Sequence, residues 1–240
     1  MGLFDKKYCD VCGEKIGLLG NRKLEDGNLC KDCAAKLSPF FSERRKSTVE
    51  DIKEQLAYRE ANQDKVAAFN PTKTIGGDMK LYFDEDKRQW LATRSRNWRS
   101  ANPDVMDFAQ VTGCTLDIDE SKRELKRKDA EGNEVSYTPP RYEYSYDFNM
   151  TIHVNAPYFS EIRFQINEDE INQRGGMAYR EAQAKADEIK ATLTQVRDAE
   201  REAVIAANTP KASVKCPYCG AVVVPDANGK CEFCGSVIGV

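Results

Sequence analysis

Eight of the nine cysteines in this 240-residue chain fall into four Cys-x-x-Cys pairs, two pairs near each end. Cys9/Cys12 and Cys30/Cys33 lie at the start, and Cys216/Cys219 and Cys231/Cys234 at the end. A Cys-x-x-Cys turn aims two sulfurs at one point, and two such turns supply the four thiolates of a tetrahedral site. Gly13, Gly220 and Gly235 each follow the second cysteine of a pair, where the backbone must bend sharply, and Pro217 stiffens one turn. The spacing therefore predicts two structural zinc ions, one held by Cys9, Cys12, Cys30 and Cys33, the other by Cys216, Cys219, Cys231 and Cys234. Iron in a rubredoxin-like site uses the same turns and stays open as an alternative. With all four positions filled by protein, each site is closed and offers no place for a substrate. Disulfides need an oxidising compartment. The opening residues carry charges where a signal peptide needs its apolar stretch, so a reduced cytoplasm is expected.

Lys and Arg number 36 against 39 Asp and Glu, a net charge of −3. That balance excludes a generally basic nucleic-acid binder and leaves room for a local basic patch. No run approaches the ~18 apolar residues that a transmembrane helix requires. The expected fold class is α+β. Residues 1–38 form a four-cysteine zinc module, treble-clef-like, with a short helix over Lys31–Leu37 starting at its second knuckle. Residues 39–70 form a helical connector. Ser47 and Glu50 are spaced as a capping box, and Val49, Ile52, Leu56, Val66 and Phe69 give an imperfect apolar stripe for one or two helices. Residues 71–168 change to period two. Short alternating runs, Ile162, Phe164 and Ile166 among them, give about seven strands with turns between. With no helix between successive strands, an antiparallel barrel or sandwich is expected. Residues 169–210 carry a long helix, from about Met177 to Ala207, with Ala178, Ala182, Ala186, Ile189, Leu193, Val196 and Ala203 repeating at three, four or seven. At 1.5 Å per residue it would reach ~45 Å. Its first part would cap the β domain, and the rest would project or pair with a partner helix. Asn208-Thr-Pro210 ends it, and residues 211–240 form a linker and a zinc ribbon.

The segment Tyr8-Cys-Asp-Val-Cys-Gly-Glu-Lys-Ile-Gly-Leu-Leu-Gly-Asn-Arg-Lys-Leu-Glu-Asp-Gly-Asn-Leu-Cys-Lys-Asp-Cys33 resembles an uncharacterised bacterial family, known as a domain of unknown function at the start of multi-module proteins. The resemblance implies Cys9, Cys12, Cys30 and Cys33 as ligands and implies no activity. Ala101-Asn-Pro-Asp104, Val111-Thr-Gly-Cys114 and Ala156-Pro-Tyr-Phe159 are similar to companions of that family. A barrel capped by a helix would resemble a bacterial pleckstrin-homology-like domain. Residues 215–240 resemble the zinc ribbons appended to many bacterial proteins. By analogy with the family, the protein would be a cytoplasmic bacterial adaptor, and peripheral membrane association would follow from that analogy alone.

No phosphate-binding glycine loop, dinucleotide fingerprint or His-Glu-x-x-His motif occurs. His153 is the single histidine and Cys114 the single unpaired cysteine. A Cys114–His153 nucleophile pair would need an orienting group and an oxyanion loop, and neither is nearby in sequence. Arg94, Arg96, Trp98 and Arg99 interleave an aromatic with three cations, a pattern that can hold phosphates and stack a base. Lys122, Arg123, Lys126, Arg127 and Lys128 form a second cluster, diluted by Glu120, Glu124 and Asp129. The expectation is therefore a non-enzymatic, zinc-binding adaptor that holds another protein. The alternative is a nucleic-acid-binding zinc protein that uses Arg94, Arg96, Trp98 and Arg99 on a hairpin.

Overall fold

The computed structural model describes residues 6–208, 213–226 and 229–238. The chain start, the helix stop at Thr209-Pro210 and the first two linker residues lie outside these. The chain divides into two units, 1–197 and 198–240.

In the first unit, β1 (Lys7–Tyr8) pairs with β2 (Lys15–Ile16), and β3 (Arg22–Lys23) with β4 (Asn28–Leu29). The helix α1 (Lys31–Ala35) follows directly. Ile16, Leu24, Leu29 and Leu37 are buried with Cys9, Cys30 and Cys33, a small core for so many loops. Next comes α2 (Val49–Ala68), one continuous helix. Its cap sits one residue later than the sequence spacing predicts. Thr48, not Ser47, is the N-cap: its hydroxyl accepts from the Asp51 N–H at 3.2 Å, and the Asp51 carboxylate accepts from the Thr48 N–H at 2.8 Å. Asp51 replaces Glu50 because the shorter carboxylate stands three residues after the true cap. A Thr48→Ala variant is expected to lose about 1 kcal/mol of stability, read as a lower denaturation midpoint.

The buried face of α2 is Ile52, Gln55, Arg59, Asn62 and Val66. Spacings of three and four make this a helical stripe, but its middle is polar. Near its start α2 packs on the cysteine module through Ile52, Val49 and Leu56. At its end Val66 and Phe69 pack with Leu91, Trp98 and Val105.

A four-stranded antiparallel sheet follows, in the order β5 (Lys73–Gly76), β6 (Lys80–Asp84), β7 (Gln89–Thr93), β8 (Met106–Asp107). Between β7 and β8 the chain forms a single helical turn, α3 (Trp98–Ala101). The next sheet has three strands, with β10 (Glu134–Val154) between β9 (Val111–Lys128) and β11 (Glu161–Gln165). Ile162, Phe164 and Ile166 are buried, and Arg163 and Gln165 between them are exposed. The helix α4 (Met177–Asn208) begins in this unit and ends in the second, and its first part packs here through Ala182, Ala186, Ile189 and Leu193, all nearly inaccessible. One buried cluster joins both sheets and this helical face.

Two differences from the sequence reading stand out. The described strands form separate sheets, and no barrel closes among them. The hairpin β9–β10 is also much longer than the Cys114–Ile118 and Tyr142–Val154 runs. Beyond Tyr146 and Glu120 it continues as a two-stranded ribbon to a turn at Asp129–Gly132, with a register shift at Ser136/Arg141, where Pro139 and Pro140 lack the N–H a ladder needs.

The second unit contains β12 (Val214–Lys215) paired with β13 (Val222–Val223), and an isolated bridge from Lys230 to Val237. Cys216, Val223, Cys231 and Ile238 form its core.

Candidate metal centres

Three of the four knuckles have one backbone design. The N–H of the first cysteine donates to the carbonyl five residues on: Cys9 to Glu14, Cys216 to Ala221, Cys231 to Ser236, at 2.8–2.9 Å. The glycine N–H four residues on returns to the first cysteine's carbonyl, from Gly13, Gly220 and Gly235. These glycines have φ of 77°, 78° and 71°, a left-handed conformation that side chains resist. The fourth knuckle differs because a helix begins there. Cys30 is the N-cap of α1, and its sulfur accepts from the Cys33 N–H at 3.3 Å. The Cys30 N–H in turn donates to the Cys9 sulfur at 3.3 Å, so backbone polarity is aimed at both pairs.

The eight sulfurs assemble into two groups of four, in each of which all ligand atoms lie within 4.8 Å of one another. Cys12–Cys30, Cys216–Cys234 and Cys219–Cys231 are each 3.7 Å apart, too far for a disulfide. A tetrahedron with metal–sulfur bonds of ~2.3 Å has edges of about 3.8 Å, so these separations fit a tetrahedral ion. Two cysteine tetrads are thus positioned to bind two metal ions, consistent with two structural zinc sites.

Four thiolates at this distance repel one another without a cation between them. Burial pushes Cys9 up, but the N–H groups of Cys12, Cys30 and Val11 outweigh it and bring the thiol down to about 6. Burial, reinforced by the sulfurs of Cys30, Cys12 and Cys9, holds Cys33 far above the ordinary thiol range. In the other tetrad the hydroxyl and N–H of Ser236 bring Cys234 down to about 6. Against the N–H of Ala221, desolvation and three neighbouring sulfurs push Cys219 up to about 12. Metal binds the fully deprotonated set, so uptake at neutral pH expels the protons held on the raised thiols. Affinity is expected to weaken as pH falls, because the raised Cys33 and Cys219 thiols already hold protons at neutral pH, and most steeply below about 6, where Cys9 and Cys234 protonate as well, as read by competition with a chromophoric chelator.

The C-terminal tetrad also reveals an internal repeat that the spacing alone left unread. Residues 216–223 and 231–238 align with an offset of fifteen. Cys216 and Cys231 are buried, as are Val223 and Ile238. At the equivalent outward positions Tyr218 and Phe233 are 71% and 69% exposed, and Val222 and Val237 are 67% and 59%.

The arginine and tryptophan group does not form the hairpin platform the sequence suggests. Trp98 is buried on α3, with ring centroids 5.7 Å from Phe69 and 5.5 Å from Tyr82, so it has no face to offer a base. Arg99 stacks on Trp98 and donates to the carbonyls of Val66 and Phe69, capping the end of α2. Arg94 pairs with Asp78 at 2.7 Å, and Arg96 is exposed. An aromatic among cations reads as a stacking site in sequence, but here it fills a joint between helix and sheet.

Cys114 and His153 lie on neighbouring strands but on opposite faces, because Cys114 is across from Ile152 and His153 across from Gly113. The Cys114 sulfur sits 3.0 Å from Met150 Sδ, and burial pushes its thiol up to about 11. His153 Nδ1 is 3.8 Å from Glu161.

A polar cluster in the first unit escaped the sequence reading. Arg59 donates to Asp104 at 2.7 Å, to the Lys36 carbonyl and to the Asn102 carbonyl. Asn62 holds Asn102, Pro103 and the Val105 N–H, and Ser38 donates to Asp104 at 2.7 Å. These bonds tie the end of the cysteine module, the middle of α2 and the loop before β8 into one joint. Its signal was the helical spacing of Gln55, Arg59 and Asn62 inside an otherwise apolar stripe.

No curated protein and no solved structure matches this chain. Residues 7–55 match the family profile described as a domain of unknown function (DUF4428), which covers both N-terminal knuckles, α1 and the start of α2.

Proposed function

We propose that this chain is a non-enzymatic zinc-binding adaptor of the bacterial cytoplasm, which holds another protein through its C-terminal module. In this reading 6–47 is a treble-clef-like module and 214–238 a zinc ribbon. The observation that carries the proposal is the repeated exposure of Tyr218 with Phe233 and of Val222 with Val237. Solvated aromatics on a metal-rigidified knuckle lose little entropy on binding, and aromatic residues are enriched at protein interfaces. Closed tetrads leave the metal no substrate position, and the opposed Cys114 and His153 supply no nucleophile pair. A four-stranded sheet, a three-stranded sheet and a closing helix favour a pleckstrin-homology-like centre, here as a scaffold between the modules. The nucleic-acid alternative loses its stacking residue with the burial of Trp98.

The test is affinity capture from native-host extract, with and without nuclease, using wild type and a Tyr218→Ser/Phe233→Ser variant that keeps both metals. A defined protein partner that survives nuclease and disappears with the variant is expected. Recovery of nucleic acid, with every protein lost on nuclease treatment, would overturn the reading.

A further inference from the structure

The turn joining β2 to β3 is built against ordinary practice. The Gly20 N–H donates to the Gly17 carbonyl at 2.9 Å, which closes a four-residue turn with Leu18 and Leu19 at its two central positions. Those positions normally take polar residues, proline or glycine. Leu18 is 90% exposed and Leu19 is 82% exposed, the two highest values among the large apolar residues described. They are not spare core, because Ile16 and Leu24 on either side already fill the module's interior at 7% and 1% exposure.

Cations surround this tip. Lys15 and Lys31 border the same depression as the two leucines, with Asp32 as its carboxylate. The Arg22 guanidinium reaches back to the Leu19 carbonyl at 3.4 Å. Beside it lies a cleft of about 770 Å³ lined by Arg22, Lys23, Arg44 and Arg45, with Glu25 as its one acidic group. Arg44 donates to the Lys23 carbonyl at 2.7 Å, and burial and the like charges of Arg45 and Arg22 hold its pKa below the usual range. Over residues 6–47 ten Lys and Arg face six Asp and Glu, a surplus of four in a chain whose net charge is −3. A divalent ion in four thiolates subtracts two and leaves the module positive.

We infer that this face docks on an anionic phospholipid bilayer: Leu18 and Leu19 enter the interfacial layer while Arg22, Lys23, Arg44 and Arg45 meet lipid phosphates. An apolar tip beside a basic cleft matches the two signals that stable peripheral binding requires, some buried hydrocarbon and attraction to anionic headgroups. Nucleic acid would satisfy the cations and leave the leucines in water. The inference is independent of the partner proposed for the C-terminal module.

The test is co-sedimentation of the full-length, metal-loaded protein with phosphatidylcholine vesicles and with vesicles containing phosphatidylglycerol. Wild type is expected to pellet with the phosphatidylglycerol vesicles, and less so as salt rises. Lys23→Gln/Arg45→Gln is expected to weaken partitioning roughly thirtyfold, about fivefold for each cation. Leu18→Ser/Leu19→Ser is expected to weaken it by more than about tenfold. Both variants change exposed side chains and should retain two metal ions and the wild-type melting curve. Equal binding to neutral and charged vesicles, or binding that survives the leucine substitutions, would overturn the inference. So would a concentration-dependent dimer that the leucine substitutions abolish, since a second copy would then be the occupant.

Discussion

A Cys30→Ser variant is expected to lose the N-terminal metal and, with it, the structure of residues 6–47. Serine can still cap α1 and keeps the N–H that supports the Cys9 sulfur, so the substitution removes the metal ligand and little else. Within residues 6–47 the interior that would remain is Ile16, Leu24, Leu29 and Leu37, with Ile52 of α2 packed on it. Four such side chains contribute about 1.5–3 kcal/mol each. Structural zinc contributes on the order of 10–16 kcal/mol in comparable small modules, so metal and fold stand or fall together there. Hydrogen exchange should show protection lost in β1–β4 and α1 and kept in β5–β11, while native mass spectrometry counts one metal in place of two. Retained protection in the cysteine module would show that its small core suffices without the ion.

Arg59→Leu is the second large effect expected. The Arg59 and Asp104 side chains are 6% and 1% exposed. Removing the guanidinium leaves a carboxylate in the interior with Ser38 as its hydrogen-bond donor, and breaking a buried pair in this way costs about 3–5 kcal/mol. Urea denaturation should show the loss as a lower midpoint. The double variant Arg59→Leu/Asp104→Leu should recover much of it, because no charge is then stranded. If single and double variants were equally unstable, Arg59 would matter for its carbonyl contacts to Lys36 and Asn102, not for its partner charge.

What the amino-acid sequence disclosed depended on whether a residue's neighbours in space are also its neighbours along the chain. A knuckle is local: two cysteines, a glycine that can take positive φ and a five-residue hydrogen bond define it, so both tetrads could be placed before any tertiary information. The strand Glu161–Gln165 was legible because its alternation records one wet face and one dry face. So was the dry stripe of α4. The outer half of β9–β10 was not legible, since a ribbon with water on both sides has no alternation to record. The cap of α2 was misplaced by one residue because Ser47, Thr48, Glu50 and Asp51 offer two boxes of equal spacing, and only backbone geometry selects one. Arg59 and Asp104 are 45 positions apart, and a charge on a helix reads as a solvated face unless its partner is known. Trp98 deceived for a related reason: its cationic neighbours are visible along the chain, but Phe69 and Tyr82, which cover it, are not.

Two cysteine tetrads, one toward each end of this chain, are positioned to close around metal ions. The most direct test is the metal content of the intact protein, counted by native mass spectrometry beside alkylation of its thiols under non-denaturing conditions. Two divalent ions per chain, eight cysteines protected and all of them modified after chelation are the predicted result. Fewer than two ions, or knuckle cysteines that alkylate freely or arrive as disulfides in the native protein, would contradict it.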